Sequence, residues 1–135
     1  MSGYSGTPLV KKLGLKAGSR IALPGIAAGV RAQLISAIAE CKSAKTAPLD
    51  FVLLFSDSRA KLTKAFAQWS RLLAPAGALW VAWPKKSSGV ATDLTENIVR
   101  DIGLAAGLVD VKVCAIDNMW SGLKFVYRLK DRPKH

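Results

Sequence analysis

The stretch ALWVAWPKKSSGVATDLTENIVR, Ala78 to Arg100, decides how the rest of the chain is read. Ala78 to Trp83 is an apolar run rich in aromatic and β-branched types, bounded by Pro75-Ala-Gly77 behind and Pro84 ahead. That pattern predicts a buried strand rather than a helix. A basic, hydroxyl-bearing loop follows (Lys85, Lys86, Ser87, Ser88, Gly89), and Thr92-Asp93 reads as a helix start, with Glu96 at the spacing of a capping box after Asp93. A strand, such a loop and a helix N-terminus in that order make an anion-receiving arrangement in α/β proteins.

Upstream, Asp50–Phe55 is a second buried strand, and Ser56-Asp57-Ser58 offers the N-cap of a helix carrying Leu62, Phe66, Trp69 and Leu73 on one face. Before it, Arg20–Leu23 is a short strand ended by Pro24-Gly25, and Val30, Leu34 and Ile38 mark an amphipathic helix from Ile26 to about Glu40. Leu9 to Leu15 fits a single helical turn. Residues 41–49 form a connector with no room for a strand–helix unit, which leaves the first strand at a sheet edge.

Downstream, Leu94, Ile98 and Ile102 give the third helix an inward face, and Gly107 suits the position just past its end. Leu108–Ile116 is a fourth strand. Asp117-Asn118 and Ser121-Gly122 turn the chain into a fifth, with Leu123, Phe125, Tyr127 and Leu129 on one face and Lys124 and Arg128 on the other. Alternation of strands and helices closed by a tight hairpin predicts an α/β fold with a mostly parallel sheet and an antiparallel C-terminal hairpin.

At 135 residues the chain reads as one domain, 1–135, with a loose arm over residues 1–8 and a charged tail over 131–135. Half its residues are hydrophobic and 21% are charged, which excludes intrinsic disorder. No apolar run approaches the ~20 residues of a membrane span, and no secretory signal is visible, so the expected compartment is the cytoplasm. Cys41 and Cys114 are too few and too far apart for a disulfide framework or a metal site. The net charge of +11 sits toward the two ends: Lys11, Lys12, Lys16, Arg20, Arg31, Lys42 and Lys45 face only Glu40, and Lys124, Arg128, Lys130, Arg132 and Lys134 face only Asp131. If the ends meet, they form one basic patch; otherwise they keep an apolar protein dissolved.

Several phrases resemble class I methyltransferases, the Rossmann-like enzymes that bind S-adenosylmethionine. They are Leu13–Leu23, Asp50–Leu54 and the Arg71–Val81 run, RLLAPAGALWV, which is similar to that family's lead-in to its fifth strand. The resemblance implies a three-layer sandwich reduced by loss of the family's second and third strands. It also marks what differs: the text after the first strand is Ala22-Leu-Pro-Gly25-Ile, with no acid and a bulky Ile26 where the family has a glycine loop around its cofactor. S-adenosylmethionine is therefore not expected, nor any other cofactor. A closer resemblance, carried by Trp83–Val90, Thr92–Asn97, Gly107–Ala115 and Trp120–Arg132, is to a bacterial family of unknown function numbered 3052, a small methyltransferase-like domain to which no activity is attached.

Ligands of open α/β sheets collect at the carboxyl ends of the strands. The loops expected there bring together Lys85, Lys86, Ser87, Ser88, Thr92, Asp117, Trp120 and Ser121, with Asp57, Asp93 and Asn118 beside them. Lysines and hydroxyls at a helix N-terminus suit a phosphate or carboxylate, and Trp120 suits stacking on a flat ring. Each also has a structural use: a solvated loop for the lysines, helix capping for Asp93, turns for Asp117 and Asn118, an edge cover for Trp120. Catalytic constellations are not visible, since His135 is the single histidine and Lys85-Lys86-Ser87 lacks the glycines of a phosphate-binding loop. The leading expectation is a non-enzymatic domain with an anion or protein-partner site at that edge. The alternatives are nucleic-acid binding through the basic termini and a methyltransferase completed by a partner subunit. An uncovered sheet edge further predicts a homodimer.

Overall fold

The computed structural model describes residues 8–132, so the arm expected over 1–8 and the tail expected over 131–135 lie largely outside the described residues. In order, the elements are α1 (Leu9–Leu13), β1 (Arg20–Ala22), α2 (Ala28–Ala39), β2 (Lys42–Ser43), β3 (Leu49–Phe55), α3 (Arg59–Ser70), β4 (Leu73–Pro84), α4 (Glu96–Ala105), β5 (Leu108–Ala115) and β6 (Trp120–Tyr127). They build a six-stranded sheet of order β2-β1-β3-β4-β6-β5. The first four strands are parallel, and β6 runs antiparallel between β4 and β5.

Central strands of a parallel sheet are covered on both faces and so read as continuous apolar runs. Phe51, Leu53, Phe55, Trp80 and Ala82 point to the face covered by α1 and α2, where Leu13, Val30 and Leu34 meet them. Val52, Leu54, Leu79, Val81 and Trp83 point to the other face, under Leu62 and Phe66 of α3 and Val99 of α4. Trp80 is fully buried, and its indole N–H donates to the Leu13 carbonyl (2.9 Å), which ties α1 to the sheet and leaves no polar atom stranded.

The structure departs from the sequence reading at five places. Residues 42–43 form a short strand that covers β1: the amides of Lys42 and Ala44 donate to the carbonyls of Ser19 and Ile21, both 2.9 Å. The sheet edge therefore lies at β2, a strand of two residues. Pro75–Gly77 is not a turn before a strand but a bulge inside β4, whose register against β3 jumps from Leu49↔Leu73 to Phe51↔Ala78. Leu73 accordingly belongs to β4 rather than to the α3 face. A Cβ at Gly77 would stand 2.8 Å from the Leu49 carbonyl oxygen, so the close approach at the bulge requires glycine. Ser121 and Gly122 lie inside β6, and Leu129 falls beyond it, 78% exposed, because the strand gives way to a short 3-10 turn at Leu129–Asp131.

The last two departures concern α4. It begins at Glu96, with Thr95 as N-cap accepting from the Ile98 amide (3.2 Å). Asp93 instead accepts from the Arg59 amide (2.7 Å), capping the neighbouring helix α3 together with Ser58, which accepts from Lys61. The buried positions of α4 are Val99 and Gly103, with Ile98 and Ile102 at the margins, because Gly103 lies against the ring of Phe125. Leu94, ahead of the helix, is buried as expected.

Candidate functional site at the carboxyl edge

The chain leaves β1 toward one side of the sheet and β3 toward the other, which puts the topological switch point between them. The loops at this edge are stitched to one another. The Phe55 amide donates to the Pro24 carbonyl (3.0 Å), Ser56 to Ala82 (3.0 Å) and Lys85 to Met119 (2.8 Å), while the Thr92 hydroxyl donates to the Asp57 carbonyl (2.6 Å). Residues 55–59, 84–95 and 117–120 thus meet along one edge.

Three of the polar side chains expected to form a site here, Ser88, Thr92 and Asp117, are engaged within the fold. The Ser88 hydroxyl donates to the Lys85 carbonyl (2.6 Å) and accepts from Val90, closing the turn that follows β4. Thr92 also accepts from Leu94. One oxygen of Asp117 accepts from the amides of Met119 (2.8 Å) and Trp120 (2.9 Å), an Asx turn that sets the β5–β6 connection. Trp120 is half-buried and packs edge-on against Phe55, ring centres 4.9 Å apart. Ser121 sits in the ladder opposite Trp83 and Ala115. Lys86 and Ser87 are exposed and Lys85 half-exposed. The N-terminus of α3 is met by oxygens of Ser58 and Asp93, and that of α4 by Thr95, so the chain's own groups occupy the positions where helix ends attract an anion.

Two concavities remain along the edge. The smaller, about 290 Å³, lies at the switch point between Gly25, Phe55, Asp57, Lys61 and Trp120. Its floor is raised by the Pro24–Phe55 bond and by the Phe55–Trp120 pair; a Cβ on Gly25 would lie 3.2 Å from the Phe55 carbonyl oxygen. The larger, about 510 Å³, opens at the carboxyl ends of β1 and β2. Ala22, Leu23, Pro24, Ala44 and the half-buried Trp69 supply its apolar lining, and Arg31 and Lys45 are the ionisable residues lining it.

The loop that carries Lys45 is held in place by Arg20, whose guanidinium donates to the carbonyls of Pro48 (2.8 Å) and Thr46 (2.9 Å). Sequence reasoning missed Arg31, Lys45 and Trp69 as a group because the two-residue β2 that brings them together carries no pattern of its own. The available signal was Arg31, a base one turn into the helix after β1. Among the described residues no cluster of His, Cys, Asp or Glu could hold a metal ion, and no helix is long and apolar enough to cross a membrane.

No protein-family model matches the chain, and no curated protein does, so the resemblance to the family numbered 3052 rests on the sequence phrases alone. Solved structures do match. A Burkholderia thailandensis 1,6-didemethyltoxoflavin-N1-methyltransferase, with 1,6-didemethyltoxoflavin and S-adenosylhomocysteine bound, superposes with a TM-score of 0.62 at 11% identity, over 87% of this chain and 73% of its own. The magnesium protoporphyrin IX methyltransferase of Synechocystis, with S-adenosylmethionine bound, gives 0.60 at 12% identity over 89% and 74%. The pyocyanin biosynthetic protein PhzM gives 0.60 at 11% identity over 89% of this chain; the chain spans 53% of that protein's length and 42% of that of LaPhzM. With the sheet order and the antiparallel hairpin, these matches show that the chain has the class I methyltransferase-like Rossmann fold.

Proposed function

We propose that this domain binds a small phosphate-bearing ligand with a flat ring at the carboxyl edge of β1 and β2, and that it does not transfer methyl groups. The observation that carries the reading is the 510 Å³ groove, whose ionisable lining is Arg31 and Lys45 over an apolar bed with Trp69 at its side. Small-molecule sites are concave and mostly apolar, with a few convergent polar groups that set specificity. A guanidinium binds phosphate oxygens in a two-pronged fashion, and an indole offers its face to a base. Lys85, Lys86 and Ser87, farther along the same edge, serve in this reading to attract the anion rather than to seat it.

S-adenosylmethionine fits these residues poorly. Its sulfonium and ammonium groups are cations, and its ribose hydroxyls seek an acceptor, whereas the ionisable residues lining the groove are Arg31 and Lys45. The switch-point crevice is about 290 Å³, at the bottom of the range for ligand pockets.

Thermal shift tests the reading. ATP, inorganic phosphate and S-adenosylmethionine are each added to wild type, to Arg31→Gln/Lys45→Gln and to Lys85→Ala/Lys86→Ala. ATP at about a hundred times its dissociation constant stabilises by about 2.7 kcal/mol. The expected result is a rise in melting temperature with ATP that the first variant loses and the second largely keeps. A rise with S-adenosylmethionine, or an ATP effect indifferent to Arg31 and Lys45, overturns the proposal.

A further inference from the structure

Outside the carboxyl edge, one surface gathers positive charge from both ends of the chain. Lys112 of β5 and Lys124 of β6 are opposite one another in the antiparallel ladder. Residues so paired share a face and approach closely, and like charges at such a pair are destabilising. The Lys112 ammonium also reaches across to α1, donating to the Lys12 carbonyl (3.0 Å). Lys12 and Lys112 both lie near enough to Cys114, on the same face, for their charges to act on its thiol. Residues a hundred positions apart in sequence therefore converge on one corner.

The acid that β5 carries is turned away from Lys112 and Lys124. Asp110 is the single acid of α1, β5 and β6, and a bulge at the next residue places it on the opposite face, where it accepts from the Arg100 guanidinium (2.9 Å). On the lysine face Lys112 is exposed and Lys124 half-exposed, and among the described residues α4 packs against the other side of β5 and β6, where Gly103 meets Phe125. Val109 and Val126, half-exposed and also paired, flank the lysines, and past the strand Arg128, Lys130 and Arg132 are exposed beside Asp131. An edge-located surface with paired lysines, and no acid on that face of the two strands, is complementary to a chain of regularly spaced negative charges rather than to a single anion.

We infer that the β5–β6 face, with α1 beside it, binds the sugar–phosphate backbone of nucleic acid without regard to sequence. Backbone contacts hold through charge and release counterions, so affinity falls steeply with salt. About three phosphates neutralised give a slope of about −2.7 in log affinity against log salt, or about a fortyfold loss between 50 and 200 mM salt.

The test is fluorescence anisotropy of a labelled 20-base-pair DNA duplex with the full chain. Wild type is expected to bind at 50 mM salt and to weaken about fortyfold at 200 mM. Lys112→Gln/Lys124→Gln should bind at least tenfold more weakly, with a slope shallower by about two. Lys112→Arg/Lys124→Arg, which keeps both charges, should bind as wild type does, separating charge from any loss of folding. Arg31→Gln/Lys45→Gln should leave DNA binding unchanged, so this surface and the groove stand or fall separately. Absence of binding at 50 mM, salt-insensitive binding, equal binding by the Gln variant, or binding to anionic lipid vesicles but not to DNA would each overturn the inference.

Discussion

Gly103→Ala is the sharpest probe of how α4 sits on the sheet. Gly103 is buried in α4, and a Cβ placed there would stand 2.5 and 2.6 Å from Cδ1 and Cζ of Phe125, overlapping the ring edge between them. Phe125 is fully buried and held edge-on against Phe66, ring centres 5.1 Å apart, so the ring has nowhere to swing. Overpacking a tight core costs about 1–3 kcal/mol, and an overlap this deep belongs at the upper end. Alanine gains about 1 kcal/mol over glycine in a helix, which leaves a net loss of about 2 kcal/mol. For a domain of this size that lowers the melting temperature by about 8 °C. Gly29→Ala is the control: Gly29 also lies in a helix, α2, but a Cβ there meets nothing within 4 Å, so the same substitution should stabilise by about 0.5 kcal/mol. Calorimetry and urea titration of both variants read the pair, and Gly103→Ala/Phe125→Leu should recover part of the loss. A Gly103→Ala protein as stable as wild type would refute the packing described for α4.

Three further outcomes follow from the structure. Asp93→Ala should speed amide hydrogen exchange in the first turn of α3, at Arg59 above all, and cost about 1 kcal/mol while leaving the first turn of α4 protected; the reverse pattern would return Asp93 to its own helix. The hydrogen bond from Arg100 holds the Asp110 carboxyl below the ordinary carboxylate range, so its contribution is complete above the unfolded pKa of about 3.9 and is lost as pH falls through the lower folded value. The stability gap between wild type and Asp110→Asn should therefore be constant above pH ~5 and close under strong acid, and a gap unchanged at pH 2 would contradict the pairing. Burial pushes the Cys114 thiol up, against the opposing pull of Lys112 and Lys12, so iodoacetamide at pH 8 should modify it more slowly in the native protein than in urea; equal rates would show that it is not shielded.

The central elements were readable because their residues meet the same demand locally and globally. The run from Phe51 to Phe55 is apolar because both faces of β3 are covered, and Val30 and Leu34 recur at helical spacing because α2 buries one stripe. What escaped the sequence depends on partners far away in it. Asp93 sits where a capping box would form, yet the amide it satisfies is at Arg59. The bulge at Pro75–Gly77 looks like a turn until the Leu49 carbonyl is brought against it. β2 is two exposed residues defined only by pairing with β1, so the groove it helps to form, with Arg31, Lys45 and Trp69, had no local signature beyond Arg31 itself. The carboxyl-edge loops do converge as the alternation of strands and helices predicts, but Ser88, Thr92 and Asp117 spend hydrogen bonds on the loops themselves.

The four tryptophans offer one signal for each region in question, and their indole N–H resonances in an ¹⁵N-correlated NMR spectrum give the most direct test. Trp69 lines the groove, Trp120 borders the switch-point crevice, Trp80 is bonded to Leu13 and Trp83 is in the core. On titration with ATP, the Trp69 resonance should move in a saturable way and vanish as a responder in Arg31→Gln/Lys45→Gln, while S-adenosylmethionine should leave all four in place. Saturable movement of Trp120 with S-adenosylmethionine, with Trp69 unmoved by ATP, would show instead a cofactor seated at the switch point and contradict the proposed function.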